Sequence, residues 1–362
     1  TGTPSAPEPK AVKRYLAQFL MDKHIAPMNR FIWWFILHLA ILPKRSVASA
    51  EKYRQIWTPE GSPLLVTHTA LAAALEARLE SEGFDAPVRI AMSYGEPPVK
   101  KALREFRELE CDRIVVLPLY PQTAHSTTLS VKDGVARAVR HAHWKGDTTI
   151  VEGYAEHPSY IRALAASIEH AGFGQQPGDR LVFSFHSIPL TDIEDGDTYE
   201  LQTGSTSLHV ADELGLDRKT WTISYQCRFD KSRSWLSPFT KDALARLAEV
   251  DGGRTFVVCP GFAVDCLETH FDVELEFREL YRDALADAGH PADDVRFVYI
   301  PCLNRGTRHL PRAFARAGRH RHVRRRAGRP HSPRVARRGV RFVSHRAVHG
   351  ECHGEDGGGD CR

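Results

Sequence analysis

Short runs of β-branched and apolar residues alternate along the chain with longer amphipathic stretches. The runs that predict buried strands are Val88–Met92, Arg113–Leu117, Leu181–Phe185, Trp221–Tyr225, Thr255–Cys259 and Val295–Ile300. Apolar residues at helical spacing predict helices at Leu64–Glu80, Pro97–Leu109, Ser159–His170 and Lys241–Glu249. This alternation is typical of an α/β fold in which mostly parallel sheets are flanked by helices.

Glycine and proline are concentrated at Gly172–Asp179, between two sets of strands and helices. A chain of 362 residues is long enough for two domains. We therefore divide it into a first half at 1–165, a second half at 166–304 and a tail at 305–362.

The tail differs in composition from the rest. The chain is 42% hydrophobic and 26% charged, which excludes disorder of most of its length. Residues 305–362, however, contain sixteen Arg, no Lys and four acidic residues, and no apolar periodicity continues beyond Phe314. We expect this tail to be an out-of-frame or disordered segment. The alternative is a basic arm that binds nucleic acid or an acidic membrane surface.

Ligands of α/β folds bind at the carboxyl ends of strands, so the residues after each strand indicate the chemistry. Neither a GxGxxG nor a GxxxxGK[ST] motif follows any predicted strand, which leaves a nucleotide without a phosphate-binding loop. The segments after the strands are instead rich in aromatic and polar residues. Candidate walls of an apolar slot are Tyr94, Leu119, Tyr120, Phe262 and the Phe31–Leu42 segment.

His186 directly follows the predicted strand Leu181–Phe185. An imidazole at this position can accept a proton or bind a metal ion near neutral pH. A hydrogen-bonded histidine at the edge of a core would give the same pattern, so the residue alone does not decide between the two.

Four carboxylates, which we call the acidic stripe, follow the strand Thr255–Cys259. They are Asp265, Glu268, Asp272 and Glu276, spaced three, four and four residues apart, and an α-helix would place them on one face. A solvated acidic surface is the simpler interpretation. The position of the stripe just beyond a strand end favours a role in moving metal ions or protons, although the spacing is not that of a closed zinc site.

Several motifs in this order resemble the ferrochelatases, which insert ferrous iron into a porphyrin in haem biosynthesis. They are GTP at Gly2–Pro4, KYRQIWTPEGSPL at Lys52–Leu64, LPLYPQTAHSTT at Leu117–Thr128, FSFHSIP at Phe183–Pro189, YQCRF at Tyr225–Phe229, CPGFAVDCLET at Cys259–Thr269 and IPCLN at Ile300–Asn304. The resemblance implies two Rossmann-like halves with the tetrapyrrole bound between them. It also implies that His186 and Glu268 face each other across the porphyrin.

The resemblance assigns further roles within the site. His186 and Glu268 are the expected catalytic and metal-binding residues, and Asp265, Asp272 and Glu276 would relay metal ions or protons. The division of these two tasks stays open. Porphyrin-binding positions are Arg54, Ser62, Tyr94, Tyr120 and Phe262. The implied substrates are protoporphyrin IX and Fe²⁺, with no tightly bound cofactor.

Departures from the family pattern refine these expectations. The family has an apolar strand before GTP, whose absence would leave a sheet edge unpaired, and it has a final helix after IPCLN. Thr1 stands where the coproporphyrin subgroup tends to place Tyr, which favours protoporphyrin. Cys302, Cys352 and Cys361 are not clustered as in relatives that bind a [2Fe–2S] cluster, so we expect no cluster.

Other interpretations stay open at this point. A related chelatase could act on coproporphyrin or sirohydrochlorin, and a non-catalytic protein could bind haem or nucleic acid through the tail. The twelve apolar residues Phe31–Leu42 are too few to span a bilayer, but they could contact a membrane surface. We expect a cytoplasmic enzyme with no specific nucleic-acid partner.

Overall fold

The computed structural model describes residues 1–226, 228, 233–250, 253–291 and 296–305. The Arg-rich tail beyond Arg305, with Cys352 and Cys361, lies outside the described residues. Predictions about the tail, and about an iron–sulfur cluster that would use its cysteines, therefore stay predictions.

Helices and short parallel strands alternate along the described chain. The strands are β1 Gly2–Thr3, β2 Tyr94–Gly95, β3 Arg113–Val116, β4 Asp147–Ile150, β5 Arg180–Phe185, β6 Trp221–Tyr225, β7 Thr255–Val258 and β8 Phe297–Ile300. The α-helices are α1 Pro9–Leu20, α2 Arg30–Ile36, α3 Leu42–Ile56, α4 Pro63–Ser81, α5 Val99–Glu108, α6 Ser130–His141, α7 Pro158–His170, α8 Leu190–Glu194, α9 Tyr199–Glu213, α10 Thr240–Ala248 and α11 Arg278–Asp287. Three π-helical stretches are π1 Leu37–Ile41, π2 His125–Leu129 and π3 Glu268–Phe277.

The second half is built on one four-stranded sheet with the order β6-β5-β7-β8, and every neighbouring pair is parallel. Leu181, Phe183 and Phe185 pack into a core on one face of β5, where α7 and α9 contribute. Val182 packs into the core on the other face with α11 and π3. A central parallel strand is buried on both faces, which is why its sequence is almost continuously apolar.

The first half has its sheet in two pieces. β1 pairs with β2, and β3 pairs with β4, again in parallel. The prediction of a strand at Val88–Met92 is wrong, because this segment pairs with no described strand. Its only bridge joins Met92 to Pro98. An extended segment without a neighbouring strand cannot satisfy its backbone groups through a sheet.

Polar contacts join the segment after β3 in the first half to α9 and the loop before it in the second half. Gln122 Nε2 donates to Thr206 Oγ1 at 2.9 Å, and the His125 amide donates to Asp197 Oδ2 at 2.7 Å. Helix α7 runs across position 165 and packs against the second sheet. The domain division that we drew there remains a prediction.

Candidate active site

His186 follows β5 directly and lines a large cavity of about 3120 Å³. Its Nδ1 lies 2.6 Å from the carbonyl oxygen of Ser187. Because a carbonyl oxygen can only accept a hydrogen bond, Nδ1 carries a proton, and in the neutral imidazole the lone pair is then on Nε2. The Ser187 hydroxyl in turn donates to Leu236 O at 2.7 Å and so fixes this turn. The imidazole is therefore held with a basic nitrogen available for a proton or a metal ion.

Glu268 lines the same cavity, at the first residue of π3. Three tyrosines of the first half line the cavity near enough for the charge of Glu268 to raise their pKa values: the buried Tyr15 and Tyr53 and the half-buried Tyr120. The pKa of Tyr120 is raised to about 12. Burial is the main cause; a hydrogen bond with Thr1 lowers the pKa, and the charge of Glu268 raises it. Burial and then the charge of Glu268 also raise the pKa of Tyr53. These hydroxyls stay protonated at neutral pH and give the carboxylate a polar but uncharged environment.

Asp265 does not line the cavity. Its buried carboxylate accepts hydrogen bonds from Asn304 Nδ2 at 2.6 Å, from Thr269 Oγ1 at 3.0 Å and from the Tyr299 hydroxyl. Burial raises the pKa of Asp265, but the hydrogen bonds from Asn304 and Tyr299 together lower it by more. The pKa therefore lies below its usual range. Through these hydrogen bonds the Asp265 carboxylate joins the loop after β8 to the start of π3.

The other three members of the acidic stripe lead from the cavity to the surface. Glu268 faces the cavity, Asp272 is half-buried and Glu276 is exposed. Lys52 from α3 contacts the outer two, Asp272 at 2.7 Å and Glu276 at 3.4 Å. Burial raises the pKa of Asp272 and the Lys52 ammonium lowers it, with a net rise. The stripe therefore forms a graded acidic path, although on a π-helix and not on the predicted α-helix.

The predicted porphyrin-binding residues divide into two groups. Ser62, Tyr94, Tyr120 and Phe262 line the cavity. The Ser62 hydroxyl lies 2.7 Å from Thr3 Oγ1, and the Tyr94 hydroxyl donates to Asp22 Oδ2 at 2.8 Å. Arg54 is not brought to the cavity, because its guanidinium pairs with Glu51 on the surface at 2.5 Å.

The predicted slot walls also divide. Leu119 lines the cavity, whereas none of Phe31–Leu42 does. Sequence reasoning missed Tyr15 and Tyr53, which do line it. Tyr53 lies inside the quoted motif KYRQIWTPEGSPL, on a different face of α3 from its neighbour Arg54. The porphyrin-binding role of Arg54 stays a prediction.

Within the described residues, no group of three or more His, Cys, Asp or Glu side chains could hold a metal ion. Cys259, Cys266 and Cys302 are free and buried. Among the imidazoles and carboxylates that line the cavity are His186, which follows a strand of the second sheet, and Glu268 of π3. Such an open pair suits a metal ion that passes through as a substrate.

Comparisons with known proteins identify the family. The sequence model of the ferrochelatase family matches residues 1–313. A ferrochelatase of Aeromonas hydrophila subsp. hydrophila is 40% identical over 309 residues, which cover 85% of this chain and 93% of that protein. A ferrochelatase of Yersinia pestis is 38% identical over 309 residues, covering 85% of this chain and 92% of that protein.

Among solved structures, SirB from Bacillus subtilis with Fe³⁺ has a similar fold. The TM-score is 0.50 at 15% sequence identity, and the match covers 71% of this chain and 90% of SirB. At this identity the likeness concerns the fold alone. It confirms the predicted α/β class with parallel sheets flanked by helices.

Proposed function

This chain belongs to the ferrochelatase family of metal chelatases, and from that premise we propose that its substrates are protoporphyrin IX and Fe²⁺ and its product is protohaem. One observation carries the proposal. His186 Nε2, which is free to accept, and Glu268 line one cavity together with tyrosine and phenylalanine side chains. A tetrapyrrole needs an apolar slot of this kind with a few polar anchors.

The proposed chemistry follows from proton balance. A free-base porphyrin carries two N–H protons, and both must leave as the divalent metal enters. A neutral imidazole is a suitable acceptor, and the His186–Ser187 hydrogen bond stabilises the tautomer that can accept at Nε2. We assign Glu268 to the metal or proton on the opposite side, with Asp272 and Glu276 as the path to solvent. Asp265 is assigned a positioning role, because its oxygens are occupied by hydrogen bonds.

The test is spectroscopic. Purified protein with Fe²⁺ or Zn²⁺ should convert the absorbance spectrum of protoporphyrin IX into that of the metalloporphyrin. His186→Ala should abolish this conversion while porphyrin binding, followed by fluorescence, persists. A variant that keeps more than about a tenth of the wild-type kcat, a loss below ~1.4 kcal/mol of transition-state stabilisation, contradicts the role of His186. Faster conversion of coproporphyrin or sirohydrochlorin in parallel reactions contradicts the assigned substrate.

We also propose that Arg30–Leu39 contacts a membrane surface from the cytoplasmic side. The elements α2, π1 and α3 form one continuous helix, Arg30–Ile56. Of the described helices, it alone is long and apolar enough to cross a membrane. However, Leu42, Ala50 and Tyr53 within it are buried in the core of the first half, so this helix does not span a bilayer in the folded chain. Apart from Val47, the exposed large apolar side chains of this helix lie in its first ten residues: Phe31, Ile32, Trp34, Phe35, Ile36 and Leu39. Arg30, Lys44 and Arg45 flank this patch with positive charge, which suits anionic lipid.

A further inference from the structure

Lys52 makes the ionic contact between α3 of the first half and π3 of the second half. Its Nζ donates to Asp272 Oδ1 at 2.7 Å and to Glu276 Oε2 at 3.4 Å. The ammonium also lies 4.5 Å from the centre of the Phe271 ring. A single side chain therefore provides a cation to both outer carboxylates of the acidic stripe.

These contacts are only half-sheltered from water. The Lys52 side chain is 38% exposed, compared with 21% for Asp272 and 56% for Glu276. The ammonium can therefore leave the carboxylates for solvent without becoming a buried, unpaired charge. A lysine has a flexible four-carbon stem and makes no bidentate pair, so it is released more readily than an arginine.

We propose that Lys52 is a positioning residue that acts as a built-in counter-cation of the acidic stripe and is displaced by the incoming divalent metal. This inference rests on the proposed use of Asp272 and Glu276 as the path of the metal. With no metal bound, Lys52 offsets one of the two negative charges and keeps both carboxylates oriented. A divalent ion attracts the carboxylates of Asp272 and Glu276 more strongly than one ammonium does. Because the ion must displace Lys52, the metal binds more weakly than it would to the bare carboxylates. The metal is then held loosely enough to move on toward Glu268.

The direct test is metal binding without porphyrin. Zn²⁺ or Co²⁺ is titrated into the full chain by calorimetry at low ionic strength. Lys52→Met keeps the apolar stem over Phe271 but removes the charge, and we expect the apparent Kd to fall about tenfold. Lys52→Arg restores a cation that is displaced less readily, so its Kd should return at least to the wild-type value. In Lys52→Met/Asp272→Asn the gain in affinity should be lost, which locates the effect at the stripe.

Lys23→Met is the matched control, because Lys23 also pairs with a carboxylate at 2.7 Å, that of Asp133, away from the acidic stripe. Its metal affinity should equal that of wild type. In turnover experiments, Lys52→Met should lower the KM for the metal and leave the KM for porphyrin unchanged. Unchanged or weaker Zn²⁺ binding by Lys52→Met overturns the proposal. Failure of the wild type to metallate protoporphyrin overturns the proposed function instead, and the binding experiment still decides the role of Lys52.

Discussion

One hydrogen bond determines what His186 can do. The carbonyl of Ser187 accepts from Nδ1, so the nitrogen on the opposite edge of the ring is the basic one. The turn that holds Ser187 is fixed by its own hydroxyl, which donates to Leu236 O. The residue type and its place after a strand were visible in the sequence. The protonation pattern of the ring depends on the geometry of the turn.

At the same scale, the carboxylates of the acidic stripe differ in what surrounds them. Glu268 faces the cavity among tyrosine hydroxyls, whereas Asp272 and Glu276 face Lys52. We expect Glu268→Gln to lower kcat at least ~100-fold, and Asp272→Asn or Glu276→Gln to lower it less than ~10-fold. Steady-state rates of Zn²⁺ insertion measure the difference. Equal losses in all three variants would indicate a collective electrostatic effect and argue against a distinct role for Glu268.

The residues that sequence reasoning missed depend on contacts between distant parts of the chain. Lys52 binds carboxylates 220 and 224 residues away, and no local pattern signals such a contact. Helix α3 turns Arg54 toward Glu51 and Tyr53 toward the cavity, whereas the motif had drawn attention to Arg54, whose porphyrin-binding role stays a prediction. The motif located the helix correctly. Which face of the helix points inward depends on packing against α1 and π3.

At the scale of elements, the acidic segment shows how a spacing can fit two geometries. The sequence predicted an α-helix from Asp265 onward, whereas the structure has the π-helix π3 at Glu268–Phe277, continued by α11. Apolar residues such as Val273, Phe277 and Tyr281 recur every four residues, a spacing that both helix types allow. π-helical turns are frequent at functional sites. A periodicity argument could not have distinguished between the two.

Asp265 anchors the start of this element, and its substitution should therefore affect stability more than turnover. Asp265→Asn places an NH2 group opposite the Asn304 Nδ2 donor or, with the amide flipped, opposite the Tyr299 and Thr269 hydroxyls. In either orientation a buried donor loses its acceptor, so we expect a loss of ~3 kcal/mol in unfolding free energy. The pKa of Asp265 is lower in the folded state than usual. Its stabilising effect is therefore full at neutral pH and is lost as the pH falls through the folded pKa, so the difference from the variant shrinks in acid.

Thermal unfolding of both proteins at several pH values tests this, with Asp283→Asn as the control because that carboxylate is 74% exposed. A normal melting temperature combined with a large loss of kcat would show that Asp265 belongs to the relay after all.

The apolar patch at Phe31–Leu39 is a second element with a testable consequence. Leu39 is 74% exposed there, and Leu201 on α9 is 73% exposed but isolated from the patch. If the patch enters the headgroup region, Leu39→Asp should weaken binding to anionic vesicles about 30-fold, or ~2 kcal/mol. Leu201→Asp is the matched control and should bind as wild type does. Sedimentation with vesicles measures both, and equal binding by the two variants would contradict the membrane contact.

For the whole molecule, the two halves differed in how well their sheets could be predicted. The strands of the second half read as buried runs because β5 and β7 are covered on both faces, and these predictions are confirmed. In the first half, the pattern at Val88–Met92 has the same character but no ladder in the described structure. A strand requires a neighbour as well as a suitable sequence, and local patterns report only the second condition.

The same difference predicts unequal stability within the molecule. Leu181, Val182, Phe183, Phe256 and Val257 of β5 and β7 are fully buried in a continuous four-stranded sheet. In β3 only Ile114 is buried, and β4 is its single ladder partner in the described chain. Local opening requires less free energy where fewer apolar contacts are broken. We therefore expect amides of β3 and β4 to exchange with deuterium at least ~30-fold faster than those of β5 and β7, measured by mass spectrometry of peptides from the native protein. Equal protection in the two sheets would show that the divided first sheet is held as firmly as the second, and that the halves unfold as one cooperative unit.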